Sequence, residues 1–293
     1  MPKNRRKKKL IKNMIALYIN WDFDSEIINI YGFPLKYYGL LFACGLLLCM
    51  NILKGIFRRE KLKDSAHEAL FIYGIVGIFV GARLGHCLFY DFDYYSKNLL
   101  EIVLPIKKTL NGEYKFIGYA GLASHGGTIG LIISLYLYSK KYEIKYLKIL
   151  DLIAIVAPLG ATFIRLANLM NSEMIGNPTT MPWAFIFSRI DNIPRHPAQL
   201  YEAISYFIIF IIVITTYKTK NIELGNGFLF GLAITLIFTM RILIEFVKIN
   251  QVEFENGMIL NMGQILSIPF IVIGIYFMGR NLMRRETEYK TSH

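Results

Sequence analysis

Charge is scarce in this chain. Asp, Glu, Lys and Arg make up 18% of its 293 residues, against about 25% in a soluble domain of ordinary composition. That shortage of polar surface excludes the soluble classes. Cysteine is scarcer still: Cys44, Cys49 and Cys87 all lie in apolar runs. Their spacing matches neither a metal site nor a disulfide framework, so they are expected to be small buried apolar side chains. No internal repeat is visible. The net charge is +12, but the basic residues are scattered over short loops, which sets nucleic acid aside as a partner. Attraction to anionic lipid headgroups fits both the charge and the class.

What the chain has instead is apolar length. Hydrophobic residues make up 54% of it, and the mean hydropathy is +0.41. Its 19 tyrosines and 21 phenylalanines suit interfacial aromatic belts. Seven segments approach the ~20 residues that a helix needs to span a bilayer: Leu35–Lys54, Ala66–Tyr90, Gly121–Tyr138, Tyr146–Leu166, Ala198–Tyr217, Gly225–Val247 and Gly257–Gly279. Gly, His and Arg interrupt the third and fourth. The expected fold is an all-α integral membrane protein of seven transmembrane helices. It would form one membrane domain over 14–285, with two long periplasmic loops at 91–120 and 168–197 and a cytoplasmic tail at 286–293. Loops of that length are uncommon unless they carry function.

Orientation follows from the loop charges. The connections at 54–63, 140–148, 218–220 and 280–290 carry fifteen Lys and Arg; those on the other side, ending with Lys248, carry eight. The first set is expected in the cytoplasm, with the N-terminus outside and the C-terminus inside. The basic tail at 1–13 adds seven charges to the outside and erases the bias. Translation from Met14 would remove the conflict and is the expected start. The tail does not read as a signal peptide, because Asn13, Asn20, Trp21, Asp22 and Asp24 follow it.

Three arginines interrupt the apolar segments: Arg83, Arg165 and Arg241. An arginine at the centre of a membrane helix costs at least about 2.5–3.5 kcal/mol, and it cannot lose its proton to escape that cost. Such residues imply a buried site for an anion, a phosphate above all. Four runs supply candidates to accompany them. In Gly118–Gly130, His125 is flanked by Gly126 and Gly127 at the start of a helix; it is either a general base near neutral pH or a packing histidine. In Gly160–Gly176, Arg165, Asn168 and Ser172 share one face if the helix continues, a reasonable phosphate grip. Glu173 stands ready to hold an arginine there, unless the run is only a helix end turning polar. In the run from Arg195 to Glu202, Pro197 suits a first helical turn that carries Gln199, Tyr201 and Glu202 into the membrane. Arg241 and Glu245, four apart, form an intrahelical ion pair by spacing. His67 and His86 have no assignment.

Taken together, these runs resemble the bacterial phosphatidylglycerol–prolipoprotein diacylglyceryl transferases. The matching stretches are Tyr38-Gly39, GARLGHCLFY (81–90), GLASHGGTIG (121–130), RLANLMNSEMIG (165–176), RHPAQLYE (195–202), RILIEF (241–246) and MGQILSIP (262–269). They stand in the family's order and touch all seven segments. The resemblance implies a multi-pass enzyme of the bacterial inner membrane. It would move the diacylglyceryl group of phosphatidylglycerol onto the lipobox cysteine of preprolipoprotein signal peptides, form a thioether and release glycerol 1-phosphate. It implies catalytic roles for His125 and Arg241. Phosphatidylglycerol would be bound by Arg165, Asn168, Tyr38, Gly126, Gly127 and Gly176, with Glu173, Glu245, Arg83 and Glu202 in support. No metal or cofactor is expected. Two departures stand out: Ala167 where the family usually has glycine, and Ile237 where a tyrosine is common. A transporter for an anionic lipid would use the same arginines, but it predicts helices broken in paired halves, and no such symmetry is seen. An intramembrane protease would need a partner motif for Ser124 and His125, which is missing.

Overall fold

Small residues at every fourth position decide how two of the helices pair. In the computed structural model, which describes residues 18–30, 33–104, 106–108, 114–116, 121–219, 222–249 and 257–291, α2 (Asp64–Phe89) lies along α5 (Ser124–Tyr142). Gly77, Gly81 and Gly85 line one face of α2, because residues four apart share a helix face. They meet Gly126, Gly130 and Ser134 of α5. A Cβ on Gly130 would lie 2.1 Å from the Gly77 carbonyl oxygen, and one on Gly81 would lie 2.4 Å from that of Gly126. The two backbones therefore touch, the small-residue contact by which membrane helices pack when lipid is as apolar as leucine. The same device recurs between α8 (Phe228–Glu245) and α10 (Ser267–Thr291), where a Cβ on Gly231 would lie 2.6 Å from the Gly274 carbonyl oxygen.

The remaining long helices are α1 (Tyr37–Arg59), α6 (Tyr146–Met170) and α7 (Ala198–Thr219). The short α3 (Phe92–Tyr95), α4 (Leu100–Val103) and α9 (Met262–Ile265) sit in connections. Among the described residues, six helices are long and apolar enough to cross a membrane: α1, α2, α6, α7, α8 and the stretch Met262–Arg280. Large apolar side chains stay exposed along them, such as Ile72, Ile75 and Val76 on α2 and Ile204, Phe207 and Ile208 on α7. Lipid, not water, is the solvent that tolerates such a surface. The exception to the seven expected spans is α5. It is a helix of 19 residues with Ser-His-Gly-Gly at its start and Lys140 and Lys141 in its last turn, and it falls outside that set of six. The seventh expected segment is not one helix either, since α9 and α10 break at Leu266.

The expectation of an all-α chain holds for the long elements and misses the connections. Among the described residues, seven short strands form three small sheets. β1 (Ile19–Trp21) runs parallel to β6 (Phe185–Phe187), which pairs antiparallel with β7 (Pro194–Arg195). β2 (Glu26–Ile30) and β3 (Phe33–Lys36) form a hairpin, as do β4 (Ile106–Lys108) and β5 (Tyr114–Phe116). The basic tail at 1–13 and Met14 lie outside the described residues.

The chain divides into two compact units. One comprises residues 1–52 and 150–293, the other 53–149. In the first, Leu169, Phe185 and Phe187 form a small core joined by Trp21, Ile175 and Leu200. Trp21 Nε1 donates to the Leu169 carbonyl oxygen at 3.1 Å, which ties β1 to the end of α6. Asp151 on α6, fully buried, accepts backbone N–H groups from Gly225, Gly227 and Phe230 at 2.9–3.0 Å. It thus caps α8 from another helix, replacing acceptors that the first helical turn lacks.

Candidate active site

Helix α6 ends at Met170, one turn after Arg165. Ser172 and Met174 then take left-handed backbone, with φ of 56° and 57°. The expected continuation of the helix therefore does not occur, and Ser172 leaves the face shared by Arg165 and Asn168. The sharp turn folds Glu173 back, so that its N–H reaches the Asn168 carbonyl oxygen at 2.9 Å. It also lets the side chains join. Arg165 Nη1 donates to Asn168 Oδ1 at 3.2 Å, and Asn168 Nδ2 donates to Glu173 Oε2 at 3.0 Å. Glu173 thus acts on the arginine through Asn168, not directly as expected. The Gln199 side-chain amide donates to the Glu173 carbonyl oxygen and fastens the turn to α7.

The direct carboxylate partner of Arg165 is Glu202. Arg165 Nε lies 3.0 Å from Glu202 Oε2, and the Glu202 side chain is 1% exposed. Glu202 also meets Lys248, with Nζ 3.4 Å from its Oε1. Lys248 Nζ lies a further 3.4 Å from Glu245 Oε2. The expected Arg241–Glu245 pair is not formed. Among the described residues Glu245 pairs with Lys248, three positions on, because the chain turns out of α8 at Phe246 and brings the ammonium back. Glu245 rests on Gly263, where a Cβ would lie 3.0 Å from the carboxylate carbon. This contact explains the small residue in the Met-Gly-Gln run. Tyr206, one turn after Glu202 on α7 and buried, interacts with Arg165 and lies within the field of Glu202 and Arg241.

Gly176 holds the floor of this cluster. Its N–H donates to the His196 carbonyl oxygen at 2.9 Å, and the neighbouring Asn177 N–H reaches the Val247 carbonyl oxygen at 2.8 Å. A Cβ on Gly176 would fall 2.6 Å from the His196 carbonyl oxygen and 2.7 Å from that of Val247, so no side chain fits between the two backbones. Arg195 pairs with Asp191 through Nε at 3.0 Å, and its guanidinium holds the Asp191 carboxyl below the usual carboxylate range. Tyr38 stands half-buried in the first turn of α1, and among the described residues it makes no hydrogen bond to the Arg165 cluster.

The second unit carries the other candidates. His125 is exposed in the first turn of α5, and Gly126 and Gly127 behind it are buried. Gly126 faces Gly85, with room for no Cβ; packing accounts for it. Gly127 is looser, its Cβ position 3.4 Å from the Ala82 methyl. No side chain caps the helix at Ala123. Arg83 departs from the anion-site expectation. Its guanidinium donates to backbone carbonyl oxygens of Ile102 at 3.1 Å, Gly121 at 3.4 Å and Glu101, and lies 4.8 Å over the Tyr95 ring. These carbonyl oxygens satisfy donors of the buried guanidinium. Gly121 needs its positive φ of 82° and its missing Cβ, because the His86 ring lies against it.

Reading the residues in sequence misses Tyr206, and it counts Lys248 only as a loop charge. The one sequence signal was its place three residues after Glu245, with Phe246 and Val247 between.

The sequence model of the prolipoprotein diacylglyceryl transferase family matches residues 25–280. Three curated relatives carry the name phosphatidylglycerol–prolipoprotein diacylglyceryl transferase. One from Bacteroides fragilis is 53% identical over 266 residues, covering 91% of this chain and 96% of its own. One from Porphyromonas gingivalis is 42% identical, covering 91% and 95%. One from Chloroherpeton thalassium is 39% identical, covering 94% and 98%.

Proposed function

The chain belongs to the prolipoprotein diacylglyceryl transferase family, and from that premise we propose how its residues share the work. It is a multi-pass membrane transferase that moves the diacylglyceryl group of phosphatidylglycerol onto prolipoproteins. The observation that carries the site assignment is Arg165, held by Glu202 and Asn168 beside a helix end. A guanidinium held at Nε and Nη1 keeps Nη2 to offer to a phosphate, with little left to reorganise.

In the proposed reaction the lipobox thiol attacks the glycerol carbon that carries the phosphate ester. A sulfur–carbon bond forms, the carbon–oxygen bond breaks, and glycerol 1-phosphate leaves with the electron pair. A free thiol has a pKa near 8.5, so only a few per cent is thiolate at neutral pH. His125 takes the thiol proton, and the uncapped first turn of α5 at Gly126 and Gly127 favours nearby negative charge. Arg165 and Arg241 grip the phosphate and stabilise the charge building on it. Asn168 and Tyr38 orient the headgroup, Gly176 keeps the floor open, and Glu173, Glu202 and Glu245 position the cations. The seven spans, an N-terminus outside, a cytoplasmic C-terminus and a place in the bacterial inner membrane belong to the same proposal. Glycine packing of α5 against α2 supports α5 as the seventh span despite its polar start.

Incubation of the purified protein with phosphatidylglycerol and a lipobox peptide tests the assignment. A peptide mass gain of one diacylglyceryl group is expected. Phosphatidylglycerol movement between leaflets without any mass gain would favour a transporter.

A further inference from the structure

Two buried carboxylates near the arginines, Glu202 and Glu245, share a cation that the proposed chemistry leaves unused. Arg165 and Arg241 are positive, and Glu202 and Glu245 are negative. Arg165 is paired with Glu202, and Arg241 stands one turn before Glu245 on α8. Were Glu202 and Glu245 to turn wholly to the two arginines, little of their charge would be left for a phosphodiester. A third cation, Lys248, stands between those carboxylates. Its side chain is 4% exposed, and Nζ stands 3.4 Å from Glu202 Oε1 and 3.4 Å from Glu245 Oε2. Its backbone is pinned by a bridge to Gly176 and by its N–H to the Glu245 carbonyl oxygen at 3.2 Å. A buried ammonium is costly unless paired; here two carboxylates face it.

We infer that Lys248 is a positioning residue for phosphatidylglycerol: it draws on oxygens of Glu202 and Glu245, so that Arg165 and Arg241 keep positive charge for a phosphodiester anion. Without the ammonium, Glu202 turns fully to Arg165 and Glu245 is free to draw Arg241. Both arginines would then be neutralised by their own chain. Lys248 does this without touching the lipid. The inference rests on the assignment of Arg165 and Arg241 to the phosphate.

The test is steady-state kinetics of the full-length protein in mixed micelles of detergent and phosphatidylglycerol, with lipobox peptide saturating. Lys248→Met is expected to raise KM for phosphatidylglycerol by about tenfold or more, since breaking one partner of a buried charge pair is expensive, with a smaller change in kcat. Lys248→Arg should restore KM. The double variant Lys248→Met with Glu245→Gln removes the carboxylate left free to draw Arg241 and should bind phosphatidylglycerol better than Lys248→Met alone. A merely structural tie predicts no such recovery. Unchanged KM in Lys248→Met, or a double variant as weak as the single, overturns the inference. If Lys248→Met does not accumulate folded, Lys248→Gln replaces it, and equal KM for Lys248→Gln and Lys248→Arg overturns it equally. Failure of the underlying assignment is seen separately, as an Arg165→Lys variant with unchanged KM.

Discussion

Arg165 is held from two directions, by Glu202 on Nε and by Asn168 on Nη1, and no lysine ammonium can meet both from the same backbone position. Arg165→Lys keeps the charge but loses the fork. Charge-assisted hydrogen bonds are worth about 1.5–3 kcal/mol each, so transfer to a lipobox peptide should fall by about 10- to 100-fold. Full activity would remove bidentate phosphate recognition. His125 is separable by pH. If it takes the thiol proton, His125→Asn should lose most activity at neutral pH and regain part of it above about pH 8.5, where the thiol ionises unaided. Near-normal transfer by that variant at pH 8 would show that another group is the base. The third arginine shows how far residue type alone can mislead. Arg83 is as buried as a phosphate ligand should be, yet its donors end on carbonyl oxygens of Glu101, Ile102 and Gly121.

At the scale of elements, the membrane helices were legible because an apolar run of about twenty residues has few alternatives in a bilayer. Segments read as Tyr146–Leu166 and Ala198–Tyr217 correspond to helices Tyr146–Met170 and Ala198–Thr219. The strands were not legible. β1 pairs with β6 more than 160 residues away in the chain, and no local pattern announces such a partner. Asp151 is another long-range element contact. It stands in the second turn of α6 and caps α8. Asp151→Ala would strand three buried N–H groups, at about 1–3 kcal/mol each. A clear fall in the thermal unfolding midpoint in detergent is expected, with Asp151→Asn in between because one side-chain oxygen remains. A midpoint unchanged in Asp151→Ala would mean that water replaces the carboxylate.

For the whole molecule, the orientation proposal rests on charge: fifteen Lys and Arg in one set of loops against eight in the other, apart from the tail at 1–13. A reporter fused after the C-terminal residue should be active only if it works in the cytoplasm, and one inserted in the loop at 91–120 only if it works outside. The opposite pattern would reverse the topology and place the Arg165–Glu173 turn on the cytoplasmic side. The division into two compact units also separates what each part contributes: the charge cluster belongs to one, and the histidine helix with its glycine contact to the other.

The sequence by itself determined that this is a membrane protein, where its long apolar helices lie, and which arginines, histidine and amides to look at for chemistry. Hydropathy and buried charge are properties of residues and their near neighbours, and they survive being read in a line. Only the tertiary structure decided which charge meets which. Glu245 left Arg241 for Lys248, Glu202 replaced Glu173 as the carboxylate on Arg165, and Arg83 turned from a phosphate to a loop. Pairing of that kind depends on where a helix stops and how the chain turns after it. At Met170 and Glu245 those stops lie within a few residues of the charges they rearrange.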